Sequence, residues 1–223
     1  MILILRCSTC TCQVVLCLRY SVLTMVKTAE SRPHELRIIA GQWRGRRWRF
    51  PCGPDIRPTP NRIRETLFNW LAPSIRGAHV LDLFAGSGAL GLESLSRGAI
   101  GAVFIDTDQR SLSAIRKNCT QWGAVGSQVL RSDALTYLAQ TRPSIQAAFD
   151  IIFIDPPFDA GLWQPVCARL EAGRWLAPEA FVYIEAPAGQ VPERLSSELQ
   201  PWRTSTAGAV GYHLLRRECT RSD

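Results

Sequence analysis

Along most of the chain, short apolar runs alternate with segments of helical spacing, and the exceptions come first. Residues 36–50, "LRIIAGQWRGRRWRF", mix β-forming side chains with Gly41 and Gly45 and predict a short hairpin with a basic, aromatic-laced surface. The Pro-rich "PCGPDIRP", residues 51–58, predicts a connection. "TPNRIRETLFNWL" then predicts a helix in which Thr59 can cap, Pro60 suits the first position, and Ile63, Leu67, Phe68 and Leu71 share a face. From Ala78 onward "HVLDLF", "GAVFID", "SQVLRSD", "FDIIFID" and "AFVYIEA" are near-continuous apolar runs, with helical segments between several of them. Such runs imply a parallel sheet covered on both faces. "WRTSTAGAVGYHLLRRE" supplies two closing strands, and no internal repeat or low-complexity tract interrupts the pattern.

Composition adds one asymmetry. The 223 residues are 46% hydrophobic and 20% charged, the profile of a soluble globular domain with a real core. No apolar run approaches the roughly 20 residues that cross a bilayer, so no membrane partner is expected. From Lys27 to Arg64 ten basic residues face three acids, a net of +7, whereas the chain from Glu65 onward carries a net of −2. Basicity confined to one segment points to a polyanionic partner.

Cys7, Cys10, Cys12 and Cys17 crowd the start, while Cys52, Cys119, Cys167 and Cys219 are scattered. The scattered four read as reduced, mostly buried thiols of a cytoplasmic protein. The crowded four lack a second ligand pair at zinc spacing and any nearby His, so no metal is expected. "MVKTAESRP" from Met25 reads as a natural polar N-terminus. The expected division is therefore a non-native or disordered extension over 1–24, a basic hairpin segment over 25–58, and the main domain over 59–223.

The chemistry begins at "VLDLFAGSGALGLE", where Gly86, Gly88 and Gly91 form G-x-G-x-x-G between a strand and a helix. Such a loop lets a nucleotide approach the backbone, and the helix start favours anionic groups. Asp106 ends the next strand, 20 residues after Gly86, where a carboxylate can accept from ribose hydroxyls. Asp133 ends the strand after that, in reach of an adenine edge. Asp82 lies four residues before the first glycine, where it repels a pyrophosphate and attracts an ammonium. Adenosine at one end and an ammonium at the other describe S-adenosylmethionine. Phe84 and Ala134 complete the candidate cofactor set.

"IDPPFDAG", residues 154–161, ends a buried strand on an acid, two prolines and a ring. Adjacent prolines lack N–H groups and fix φ, so pairing stops and a rigid corner follows. An aromatic amine is a poor nucleophile because its lone pair is delocalised. A carboxylate from Asp155 and a proline carbonyl from Pro156 or Pro157 accepting its two hydrogens orient it and raise electron density on nitrogen. Phe158 stacks on a base that has left its helix.

With these motifs in view, the chain from about Leu36 to Glu218 resembles the RsmD family of bacterial 16S ribosomal RNA guanine-N2 methyltransferases. "RIIAGQWRGR" and "RPTPNRIRETLFNWL" carry the resemblance more specifically than the glycine loop and D-P-P-F, which many amino-methyltransferases share. The resemblance implies a class I S-adenosylmethionine-dependent methyltransferase: an α/β, Rossmann-like fold with a seven-stranded, mainly parallel sheet and a small N-terminal β-hairpin. It acts on one guanine of small-subunit rRNA in an assembled or assembling particle, as a cytoplasmic monomer that releases S-adenosylhomocysteine. It assigns Asp82, Gly86, Gly88, Asp106 and Asp133 to the cofactor, and Asp155, Pro156, Pro157 and Phe158 to the target base. Two departures stand out: the first 24 residues have no family counterpart, and Asp106 stands where glutamate is common. Arg37, Arg44, Arg46, Arg47 and Arg49, with Trp43, Trp48 and Phe50, combine phosphate-binding charge with stacking surface, although some of the tryptophans are expected to pack in the core, and Arg64 joins the RNA-contacting set. An adenine-N6 DNA methyltransferase, a non-catalytic RNA-binding assembly factor and, last, an NAD-dependent oxidoreductase stay open as alternatives.

Overall fold

The computed structural model describes residues 3–6, 13–16, 34–51, 59–140, 142, 147–190, 195 and 197–218. The chain forms two compact units, residues 1–32 and 33–223. In the first, β1 (Leu3–Arg6) and β2 (Gln13–Leu16) pair antiparallel with Leu3 opposite Leu16. The four N-terminal cysteines, Cys52, Cys219 and the Pro-rich stretch 52–58 lie outside the described residues.

The second unit opens with the expected hairpin, β3 (His34–Arg37) and β4 (Arg47–Phe50), in register from His34↔Phe50 to Arg37↔Arg47. Helix α1 (Asn61–Trp70) follows, then β5 (His79–Asp82), α2 (Ala89–Ser96), β6 (Gly101–Asp106), α3 (Gln109–Trp122), β7 (Ser127–Arg131), α4 (Ala134–Ala139), β8 (Phe149–Ile154), α5 (Trp163–Ala172), β9 (Leu176–Pro187), β10 (Leu199–Ala207) and β11 (Val210–Arg217). The sheet has seven strands in the order β10-β11-β9-β8-β5-β6-β7. Neighbours from β9 to β7 pair parallel and β11 pairs antiparallel with both its neighbours. The chain winds outward from β5 through β6 to β7 and then returns to β8 on the other side of β5. The β5/β8 boundary is thus the switch point, where open α/β sheets leave a crevice at the strands' carboxyl ends.

Strand alternation sorts the core into two layers. Val80, Phe104, Phe153 and Tyr183 pack under α1, α2, α3 and the hairpin, with Leu67, Phe68, Leu92, Ile115, Trp43 and Trp48. Leu81, Val103, Ile152 and Val182 point the other way, against Leu138, Val166, Leu170 and Trp175. Burial on both faces accounts for the unbroken apolar runs of the sequence.

Helix α1 differs from its expected start. Pro60 occupies the cap position and no side chain caps the helix. The Thr59 hydroxyl instead hydrogen-bonds the carboxylate of Glu185 on β9. A group expected to satisfy α1 locally is committed to the sheet.

Candidate active site

The β5–α2 loop is pinned at both sides: Leu83 N–H donates to the Phe153 carbonyl (3.2 Å) and Ala85 N–H to the Ile105 carbonyl (2.9 Å). Gly88 sits at φ +76°, and a Cβ there would lie 2.8 Å from the Ile115 side chain, so glycine is required twice over. At Gly91 an added Cβ would collide with the Phe104 ring, which is how α2 lies so close to the sheet. Asp82 is buried and accepts from Gly91 N–H (3.1 Å). Asp106 accepts from Gly86 N–H (2.7 Å) and Asp108 N–H (2.8 Å). Phe84 is half-buried beside them and Ala134 is buried at the start of α4. Asp133 is exposed and caps α4 through Thr136 N–H (3.0 Å), a local role alongside any contact with a base edge.

The D-P-P-F corner lies one strand away. Pro156 is buried, while Pro157 and Phe158 are exposed and Asp155 is half-buried. Pro157 accepts from Ala160 N–H (3.0 Å), closing a 3-10 turn over Phe158–Ala160. Phe158, at 37% exposure, is among the large apolar side chains of the described residues that face solvent.

Alternation places Asp106, Asp82, Asp155 and Glu185 on the same face of four adjacent strands, β6, β5, β8 and β9. Glu185 is the member that sequence reasoning missed. It is buried, its Oε1 accepts from the Tyr183 hydroxyl (2.9 Å), and its main-chain carbonyl accepts from Trp163 Nε1–H (2.9 Å). A lone glutamate in the apolar run "FVYIEA" was the available signal.

None of the four acids belongs to an ion pair among the described residues. Crowding without cations disfavours ionisation. Burial raises the Asp82 carboxyl to about 7, with Asp106 adding to the shift. Asp155 is raised well above the carboxylate range, first by burial and then by Glu185 and Asp82, and burial also raises Glu185. A row of this kind attracts a cationic ligand.

The hairpin segment is bonded into this machinery. Glu93 on α2, fully buried, accepts from Ile39 N–H (2.8 Å), Ala40 N–H (3.0 Å) and Arg97 Nε–H (2.8 Å), and Arg64 Nη1 lies 3.6 Å away. Trp48 Nε1–H donates to the carbonyl of Ser87 within the glycine loop (2.9 Å). Two expectations are corrected here. Arg64, placed in the RNA-contacting set, is fully buried and spends Nη2 on the Arg37 carbonyl (3.0 Å) and Asn61 Oδ1 (2.6 Å). Trp43, Trp48 and Phe50, read as stacking surface with only some of the tryptophans expected in the core, are all buried there, and both tryptophans pack against Trp122. Arg37, Arg44, Arg46, Arg47 and Arg49 remain exposed, although Glu35 pairs with Arg47 (2.8 Å) and Arg49 (3.7 Å).

Among the described residues no His/Cys/Asp/Glu group is arranged to hold a metal, and no helix is long and apolar enough to cross a membrane. Cys119 and Cys167 are free and buried, and burial pushes the Cys167 thiol up to about 12.

Comparison with known proteins covers most of the chain. The family model described as "Conserved hypothetical protein 95" matches residues 36–216. The Ribosomal RNA small subunit methyltransferase D of Escherichia coli strain K12 is 43% identical over 194 residues, covering 87% of this chain and 96% of that protein. The protein of the same name from Haemophilus influenzae is 37% identical, covering 81% and 93%. The solved structure of yhhF from Escherichia coli superposes with a TM-score of 0.75 at 43% identity, over 84% of this chain and 100% of that one. At the level of fold alone, a Geobacter sulfurreducens methyltransferase aligns with a TM-score of 0.55 at 18% identity, over 72% and 80% of the two chains.

Proposed function

The chain belongs to the family of ribosomal RNA small subunit methyltransferase D proteins, and from that premise we propose that it methylates the exocyclic N2 amine of a guanine in small-subunit rRNA. The observation that carries this reading is the row of acids at the switch point, unpaired by any cation among the described residues and flanked by the glycine loop and the D-P-P-F corner. S-adenosylmethionine fits that row because it bears an ammonium and a sulfonium, and it supplies an electrophilic methyl group.

In this reading Asp82 faces the ammonium, Asp106 accepts from the ribose, and Asp133 and Ala134 border the adenine. Gly86 and Gly88 let the backbone approach, and Phe84 lines the same side. Asp155 and the Pro156 carbonyl accept the two amine hydrogens, which aligns the nitrogen lone pair with the methyl and stabilises positive charge growing on nitrogen. Asp155 is then placed to take the proton that the methylated amine sheds. Pro157 fixes the corner, and exposed Phe158 stacks on the flipped base. Arg37, Arg44, Arg46, Arg47 and Arg49 bind phosphates around it. We place the reaction on an assembled or assembling small subunit, by a monomer in the cytoplasm.

The test is transfer of labelled methyl from S-adenosylmethionine to small subunits from cells lacking this gene, with naked rRNA and unmodified DNA alongside, followed by nucleoside analysis. Label in N2-methylguanosine is the expected outcome, with particles favoured over naked rRNA. Label in N6-methyladenine of DNA, or no label at all, contradicts it.

A further inference from the structure

We propose that Glu185 determines the identity of the target base by accepting the N1–H of guanine while Asp155 holds the adjacent N2 amine. This rests on the methyl-transfer reading above and deepens it.

Strands β8 and β9 run parallel with Ile154 opposite Ile184, so Asp155 and Glu185 follow at the same level and, by alternation, on the same face. The sheet order puts β5 and β6, with the glycine loop and Asp106, on one side of Asp155 and Glu185 on the other. A base whose amine sits on Asp155, pointing at a methyl donor over β5, extends toward β9. Its next ring position along the Watson–Crick edge then meets Glu185. In guanine that position is N1–H, a donor. In adenine the ring nitrogen beside the amine is a bare acceptor, which offers no proton for the Glu185 carboxylate to accept.

The side chain is held for such a task. Glu185 is 5% exposed and is fixed by the Tyr183 hydroxyl at 2.9 Å and by the Thr59 hydroxyl. Both partners are neutral, and no described cation pairs with it. A carboxylate buried among neutral hydroxyls is costly to keep for stability alone. Its two oxygens offer about four acceptor positions, so these hydroxyls leave capacity for a ring N–H.

2,6-Diaminopurine separates the two carboxylates chemically, because it keeps the amine at C2 but presents a lone pair at N1. Small subunits are reconstituted with rRNA ligated to carry either guanine or 2,6-diaminopurine at the methylated position. Transfer by the full-length enzyme is then followed as kcat/KM. The wild type is expected to favour guanine by about 10⁴-fold, the scale on which a buried polar group rejects an analogue that leaves it unpaired. Glu185→Gln, whose amide can donate or accept, is expected to reduce that preference to within about threefold while S-adenosylmethionine still binds. Tyr183→Phe leaves the carboxylate in place and is expected to keep most of the preference. Equal wild-type transfer to both RNAs overturns the selectivity role and leaves the methyltransferase reading intact. An unchanged preference in a folded Glu185→Gln variant also overturns it. No wild-type transfer to either RNA overturns both.

Discussion

Two buried acids on one βα unit have opposite surroundings. Glu93, within α2, accepts from two backbone N–H groups and Arg97 and lies beside Arg64. Asp82, at the end of β5, has the Gly91 and Phe84 backbone amides for partners and further acids along the row. One carboxylate is compensated from within the chain and locks the hairpin segment onto α2. The other is left short of positive charge, which a ligand must bring. A buried acid without a cation is therefore a better guide to function than a buried acid as such.

The largest expected effect is at the row. Asp155→Ala should reduce methyl transfer by about 10³-fold, the scale of losing one preorganised transition-state partner. Calorimetry should find S-adenosylmethionine affinity changed less than threefold. Equal activity would move the amine elsewhere.

On the compensated side the loss should be in stability. Glu93→Ala strands Arg64 and Arg97, and urea unfolding should show a cost of about 3 kcal/mol. A variant as stable as wild type would mean that Glu93 does not hold the hairpin.

At Asp82 stability and binding should move in opposite directions. The folded carboxyl is raised to about 7 from an ordinary 3.8, so the folded state binds more protons across that window and stability falls as pH rises through it. Asp82→Asn should therefore melt higher at pH 7.5 yet weaken S-adenosylmethionine binding by about 2 kcal/mol, the worth of a hydrogen bond to a charged group.

The smallest effect belongs to the hairpin surface. Reversing Arg44, Arg46 and Arg47 should weaken substrate binding and lower its salt slope by about one unit per lost phosphate contact. An unchanged slope would take the hairpin off the RNA.

The sheet and the cofactor loop were legible because each rests on local pattern. Apolar runs, glycines at fixed spacing and acids at strand ends need no knowledge of the rest of the chain. The hairpin's chemistry was not legible, because exposure is a tertiary property. Arg64 looked like surface charge, yet it lies three and four residues before Leu67 and Phe68 and so shares their buried face. Of Trp43 and Trp48 the sequence could say only that some tryptophan there would be core; α3 supplies Trp122 to cover both. Glu185 and Thr59 are 126 positions apart in the chain, and only the fold brings them together.

The most direct test of the uncompensated row is the pH dependence of S-adenosylmethionine affinity between pH 5.5 and 7, measured by calorimetry in the wild type and Asp82→Asn. An ammonium binds the carboxylate, so a proton must leave Asp82 first whenever the pH is below about 7. The account predicts a wild-type Kd that rises toward tenfold per unit as pH falls, and a flatter profile in the variant. The same pH dependence in both proteins would contradict it.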